Sequence, residues 1–203
     1  MASFLLIHGA WHDGSCYDRL RAPLEAAGHI MAAPTLPGMG GDTRALAAVT
    51  LDGWAEYVVA EAGKLTGPVI LCGHSRAGIV VSRAAELAPD LFEGLVYVAA
   101  ALVPGGMTHY EVIGAKLERR SLGTAITSVA DGFGLSLAPD RAVRVFYHRC
   151  SPEDQAHARR LLVEPVRPMG TVLELGDERY GRVPRHYIEW ADDKCVPLAE
   201  AGG

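Results

Sequence analysis

Apolar positions alternate between short continuous runs and helical spacing through the first hundred residues. Phe4-Leu5-Leu6-Ile7-His8 is a run closed by Gly9, short and continuous as in a strand buried on both faces. Cys16 to Ala27 has a helical pattern with Leu20, Leu24 and Ala27 on one side and Gly28 at its end. Ile30 to Ala33 predicts a second strand, stopped by Pro34, and Leu36 to Gly41 a loop rich in turn residues. Leu51 to Leu65 predicts a helix, started by Thr50 or Asp52 and ended near Gly67-Pro68. Pro68-Val69-Ile70-Leu71-Cys72 reads as a buried strand, and Ile79, Val80, Val81, Ala84, Ala85, Leu87 and Ala88 form the apolar face of the helix after it. Gly94 to Val98 is a further strand. Strands and helices alternating at this spacing predict an α/β fold, a mostly parallel sheet covered by helices on both faces.

The alternation breaks from Val103 to about Gly181. Ser151-Pro152-Glu153-Asp154 opens a helix, with proline in the first turn and an acidic N-terminus, expected to run to Leu162. The rest of the stretch is punctuated by Gly and Pro, as expected for a cap inserted between two strands. Val183 to Trp190 resumes the strand pattern, and Ala191-Asp192-Asp193 ends it. The chain carries no internal repeat.

Length and composition narrow the function classes. At 203 residues, 49% hydrophobic and 21% charged, residues 1–203 fit one domain with a sizeable core. A net charge of −5 argues against nucleic acid or an anionic membrane surface as partner. No apolar stretch reaches the length of a membrane span. Met1-Ala2-Ser3 passes directly into the first strand without a basic region or cleavage site, so a cytoplasmic protein is expected. The four cysteines (Cys16, Cys72, Cys150, Cys195) are scattered without a C-x-x-C pair, which argues against a disulfide framework or a cysteine metal site. His8 and His12 lie four apart across Gly9 with no carboxylate motif, so no metal is expected. Nor is a cofactor, because Gly38-Met39-Gly40-Gly41 lacks the strand–helix context of a nucleotide loop.

Two segments carry chemistry. Residues 73–78, Gly-His-Ser-Arg-Ala-Gly, read on the G-x-S-x-G pattern between an apolar strand and an amphipathic helix. Such an element sets a serine on a sharp turn with its hydroxyl exposed and a helix N-terminus behind it. Ser75 is the candidate nucleophile. His8-Gly9-Ala10-Trp11-His12 follows the first strand, where a loop can supply one backbone N–H of an oxyanion hole. Ala10 would donate that N–H and Arg76, the residue after the serine, the other. The plainer reading of this loop is a strand-ending turn. His8, Trp11 and His12 are candidates to line the pocket, although a core role suits the two histidines better. The Arg76 side chain is either a cation for an anionic substrate group or a solvated or salt-bridged arginine on the first helical turn. Asp193 follows the last strand, where a carboxylate that orients a base falls in the order Ser, Asp, His, with Asp192 as its neighbour and rival; either could instead be a turn-forming aspartate.

HGAWH, GHSRAG, Glu164-Pro165-Val166-Arg167-Pro168 and Tyr180-Gly181-Arg182-Val183-Pro184-Arg185-His186-Tyr187-Ile188, in that order, resemble one group of α/β hydrolases. The group holds plant methyl esterases of the salicylate-binding type, hydroxynitrile lyases and bacterial esterases, and the resemblance covers essentially the whole chain. It implies an α/β-hydrolase fold with a cap over about 103–175, Ser75 as nucleophile, Asp193 as the acid, and Ala10 and Arg76 as oxyanion donors. Asp193-Lys194-Cys195-Val196-Pro197 is similar to the segment that carries the acid.

Members of the group continue past this aspartate through a helix, a last strand and a histidine-bearing loop. Here Gly203 ends the sequence and all eight histidines (His8, His12, His29, His74, His109, His148, His157, His186) precede Asp193. The expectation is therefore a carboxylesterase-type scaffold for a small-molecule ester, impaired for want of a base, and either truncated or a member that lost its histidine. A last strand and helix are expected to be missing, and the exposed sheet edge could pair with a second copy as a homodimer. The alternatives are a non-catalytic small-molecule binder and, ranked below it, a hydroxynitrile lyase.

Overall fold

The computed structural model describes residues 1–39, 42–114 and 122–195. Residues 40 and 41 of the turn-rich loop, 115–121 of the expected cap, and Val196 and Pro197 lie outside them. In chain order the strands are β1 (Ser3–Ile7), β2 (Ile30–Ala32), β3 (Val69–His74), β4 (Phe92–Val98), β5 (Ile126–Val129), β6 (Gly134–Leu137), β7 (Glu164–Pro165) and β8 (Arg185–Ile188). The α-helices are α1 (Asp18–Ala26), α2 (Leu51–Ala62), α3 (Ala77–Leu87), α4 (Pro139–Phe146) and α5 (Pro152–His157).

Five strands form a parallel sheet in the order β2-β1-β3-β4-β8. Its register explains the core. Leu5 pairs with Leu71 and Leu71 with Leu95, giving a row of three leucines with no exposed surface. Together with Ile7 and Tyr97 they face the apolar sides of α2 and α3. Burying each such leucine contributes about 1.5–3 kcal/mol. The next row, Leu6, Cys72 and Val96, points to the opposite face, as the two-residue strand period requires. That face meets Tyr17 and Leu24. Leu20, expected beside Leu24, is instead 47% exposed, and Ala27 is exposed too. Of the three, Leu24 alone packs on the sheet, and Ala27 lies past the helix end at Ala26.

Thr50, not Asp52, caps α2: its Oγ1 accepts the Gly53 N–H at 3.0 Å, while Asp52 pairs with Arg83 at 2.7 Å. Helix α5 starts as expected, Ser151 accepting the Asp154 N–H, but ends at His157 rather than Leu162. The Leu162 N–H donates to the Trp11 carbonyl at 2.9 Å, which draws the backbone off the helical path. Between β4 and β8 lies a second, antiparallel sheet, β5-β6-β7. Strand β8 is the sheet edge and all four of its residues are exposed; beyond it Trp190 is 47% exposed. No helix among the described residues is long and apolar enough to cross a membrane.

Candidate active site at the β3–α3 turn

Ser75 sits between β3 and α3 with φ +55°, a left-handed conformation that a non-glycine residue adopts only under constraint. Three backbone hydrogen bonds impose it. The Ser75 N–H donates to the Val98 carbonyl at 3.2 Å, and its own carbonyl accepts from Gly78 at 3.1 Å and Ala101 at 2.9 Å. The turn departs from G-x-S-x-G by one place: Ala77 occupies the second glycine position and Gly78 follows. The close approach falls on Gly78, where a Cβ would lie 2.1 Å from the Ala101 carbonyl oxygen, whereas Ala77 is accommodated with no exposed surface. At Gly73 a Cβ would lie 2.6 Å from a Val81 methyl.

The loop after β1 packs directly on this turn. A Cβ at Gly9 would lie 3.0 Å from His74 Nδ1 and 3.1 Å from the Ser75 Cβ. The polar groups of the next two peptides are nearly all engaged. The Gly9 carbonyl accepts from His8 Nδ1–H at 3.0 Å and Arg76 Nη2–H at 3.3 Å. The Ala10 carbonyl accepts from His12 Nδ1–H at 2.6 Å, and the Trp11 N–H donates to Glu164 Oε2 at 3.2 Å. Among the described residues the Ala10 N–H has no acceptor, and neither does the Arg76 N–H at the start of α3. Two amides without acceptors beside a serine and a helix N-terminus can hold a developing negative charge.

The histidines near the turn are held in neutral form. His8 has no exposed surface; its Nε2 accepts the Leu36 N–H at 3.0 Å. Burial, helped by the Arg76 charge, lowers its pKa to about 3. Both ring nitrogens are bonded to backbone, so this pocket candidate serves as a buried strut. His12 is lowered as well, chiefly by burial, and its Nε2 accepts the Tyr147 hydroxyl. His74 lies against Trp190 with ring centroids 5.2 Å apart, and burial lowers it to about 4. His109, 5% exposed and with Nδ1 unpartnered, is lowered to about 4 for the same reason. Among the described residues no imidazole is hydrogen-bonded to Ser75 Oγ. Trp11, 7% exposed with φ +63°, is buried among Leu122, Leu137 and Ala142 and donates Nε1–H to the Leu135 carbonyl at 3.0 Å.

The two aspartates part company. Asp192 is exposed and paired with Arg149. Asp193 is half-buried, and its Oδ1 accepts the Cys195 N–H at 2.7 Å. Trp190, three residues before Asp193, lies against His74, the residue before Ser75, and Cys195 packs against the cluster that holds Ala10 and Trp11. Arg76 is neither solvated nor available to a substrate anion. It is 2% exposed, its Nε lies 2.6 Å from Glu164 Oε1, and its guanidinium carbon lies 4.3 Å from the Trp54 ring centroid. In the sequence Glu164 opens the Glu164-Pro165-Val166-Arg167-Pro168 motif inside an apolar run, and nothing there marks it as the partner of Arg76. Burial pushes its carboxyl up, opposed by Arg76 and the Trp11 N–H. Two open cavities, of about 250 Å³ along Pro37 and Trp54 and about 320 Å³ along Leu102 and Tyr180, are not lined by Ser75.

A parallel sheet with this strand-to-helix turn and an N–H-bearing loop beside it defines an α/β hydrolase, and the sequence agrees: the chain belongs to the Alpha/beta hydrolase family, matched over residues 4–203. Among proteins, it is 32% identical over 207 residues to a pyrethroid hydrolase of Sphingobium wenxiniae, covering 98% of this chain and 74% of that one. It is 30% identical to salicylic acid-binding protein 2 of Nicotiana tabacum, covering 96% and 80%. Among solved structures, a pyrethroid hydrolase from Sphingobium faniae superposes with a TM-score of 0.86 at 30% identity, covering 99% and 83%.

Proposed function

We propose that the chain is a carboxylesterase-type serine hydrolase for small esters, with Ser75 as nucleophile. The reading is carried by Ser75 at φ +55° with the Ala10 and Arg76 N–H groups free of acceptors beside it. Ser75 Oγ attacks the ester carbonyl, the two amides receive the oxyanion, the alcohol leaves, and water releases the acyl group from Ser75. Asp193 is the carboxylate that would orient an imidazole, because Asp192 is turned out to Arg149. Residues 103–175 act as a cap, and their strand β7 reaches down to the Ala10 loop through Glu164. The hydrolase names of the two Sphingobium relatives support a substrate that is hydrolysed.

Turnover by these 203 residues is read as weak, because His8 and His12 are held by other partners and His74 by packing. The same observation favours a second reading, a binder that keeps the pocket without turnover. Hydrolysis of p-nitrophenyl acetate by the chain and by Ser75→Ala separates them. Release of p-nitrophenol that disappears in Ser75→Ala supports the hydrolase. Equal background rates, with ligand binding unchanged in Ser75→Ala, support the binder.

A further inference from the structure

The Arg76–Glu164 pair is an expensive feature for a core. Both side chains are almost wholly buried, at 1% and 0% exposure. The 2.6 Å approach of Nε to Oε1 is a charge contact whose N–H direction misses the oxygen, so Arg76 Nε and Nη1 and Glu164 Oε1 lack a directed partner. Two apolar residues of similar volume would fill such a space at less cost. The polar atoms that do make directed hydrogen bonds join each other at 3.5 Å, Arg76 Nη2 donating to Glu164 Oε2, and both reach the same short loop: Arg76 Nη2 donates to the Gly9 carbonyl, and Glu164 Oε2 accepts the Trp11 N–H.

Those two contacts bracket Ala10. The Gly9 carbonyl and the Ala10 N–H belong to one trans peptide, in which they point in opposite directions. Fixing the carbonyl, between Arg76 and His8 Nδ1–H, therefore fixes where the Ala10 N–H is aimed. Fixing the Trp11 N–H on Glu164 stops the following peptide from rotating, and Trp11 is held at φ +63°. Trp54 stacks on the guanidinium and donates its own Nε1–H to the Pro37 carbonyl at 2.8 Å, which keeps Arg76 from swinging away. Arg76 thus contributes twice: its main-chain N–H lies at the start of α3, and its side chain aims the other amide.

We propose that Arg76 and Glu164 are positioning residues that aim the Ala10 N–H at the Ser75 site and tie that aim to strand β7. The proposal rests on reading Ser75 as the nucleophile and Ala10 as an oxyanion donor. A substrate that shifts β7 would misalign the Ala10 amide, so the segment from β5 to β7 would influence turnover without touching the reacting atoms. Lysine at 76 would not substitute, since a point cation lacks the planar fork that spans Gly9 and Glu164.

The test compares the full chain with the paired replacement Arg76→Met/Glu164→Leu, which removes both charges together, and with Arg76→Lys. Three readouts are taken: the ¹⁵N–¹H resonances of Ala10 and Trp11, far-UV circular dichroism, and kcat and KM for p-nitrophenyl acetate. The paired variant is expected to fold, to displace both resonances, and to lose about 10²-fold in kcat with KM held within about twofold. Arg76→Lys is expected to displace the Ala10 resonance too. A folded paired variant that keeps kcat within about twofold overturns the proposal, whatever its resonances do. If the wild-type chain turns over no faster than Ser75→Ala, the nucleophile reading fails by itself. The resonances then decide the positioning claim: displaced in the folded variant, they support it; unmoved, they overturn it.

Discussion

Gly9 and Ser75 approach so closely that a side chain at residue 9 would press on the serine, its Cβ falling 3.1 Å from the Ser75 Cβ and 3.0 Å from His74 Nδ1. The loop that carries the Ala10 amide is therefore set against the turn by contact, not by a long tether. Gly9→Ala should leave the sheet intact, since β1 ends at Ile7, and should push the Ala10 amide away from Ser75. Misplacing one oxyanion donor costs about 10²–10³ in kcat. A steady-state comparison on p-nitrophenyl acetate, with circular dichroism as the control for folding, checks this; an unchanged kcat would show that the loop has slack.

Gly78 meets a harder neighbour. Its missing Cβ would sit 2.1 Å from the Ala101 carbonyl oxygen and 2.9 Å from that carbonyl carbon, both backbone atoms. Nothing at the far end of a flexible side chain can yield. Gly78→Ala should force α3 away from the segment after β4 and cost at least about 1–3 kcal/mol. Urea denaturation reads this as a lower midpoint, and a midpoint equal to wild type would mean that the 100–101 backbone moves freely.

The elements that position Ser75 are legible in the sequence because each buries a periodic apolar face. Leu5, Leu71 and Leu95 form one row of the sheet, and Ile79, Val80, Ala84 and Ala85 of α3 pack on it. The segment between β4 and β8 is harder to read because its elements are short and its pattern is set by tertiary contact. Strands β5 and β6 have four residues each, joined through Ala130 to Phe133, the first three of which are at positive φ. The Asp131-Gly132 pair is a hairpin signal that the surrounding Gly and Pro obscure. Helix α4 has an amphipathic pattern, Ala142, Val143 and Val145 buried beside Asp140 and Arg144, but runs only eight residues. Glu164 and Arg76 are 88 residues apart. No local pattern announces such a pair; it follows from how β7 is carried over the first loop.

Acid should weaken the fold through its buried histidines. His8 and His109 are lowered in the folded protein from 6.5 to about 3 and about 4, burial being the largest cause in each. Below about pH 6.5 the unfolded chain takes up protons that the folded chain refuses, so stability is complete above that pH and falls as the pH drops toward 4. Every tenfold difference in proton affinity between the folded and unfolded chain amounts to about 1.4 kcal/mol at the acid end. Urea midpoints measured at pH 7, 6, 5 and 4.5 should decline, and His8→Gln should flatten the decline. A flat profile in the wild type would mean that these rings are protonated in the fold or reached by water.

Asp192 and Asp193 are adjacent in sequence, and their surroundings predict opposite outcomes. Asp192 lies in solvent opposite Arg149, and exposed ion pairs of this sort contribute about 0–1 kcal/mol. Asp192→Asn should therefore change neither the urea midpoint nor the rate beyond error. Asp193 is half-buried, its Oδ1 takes the Cys195 N–H, and Trp190, three residues before it, lies against His74. Asparagine there keeps the shape but removes the charge that would hold an imidazolium, so Asp193→Asn should lower by about 10²–10⁴ any rate in which an imidazole serves Ser75. The two variants are assayed side by side with Ser75→Ala as the zero. If Asp192→Asn is the damaging one, the carboxylate assignment moves to Asp192 and Arg149 becomes the group that releases it.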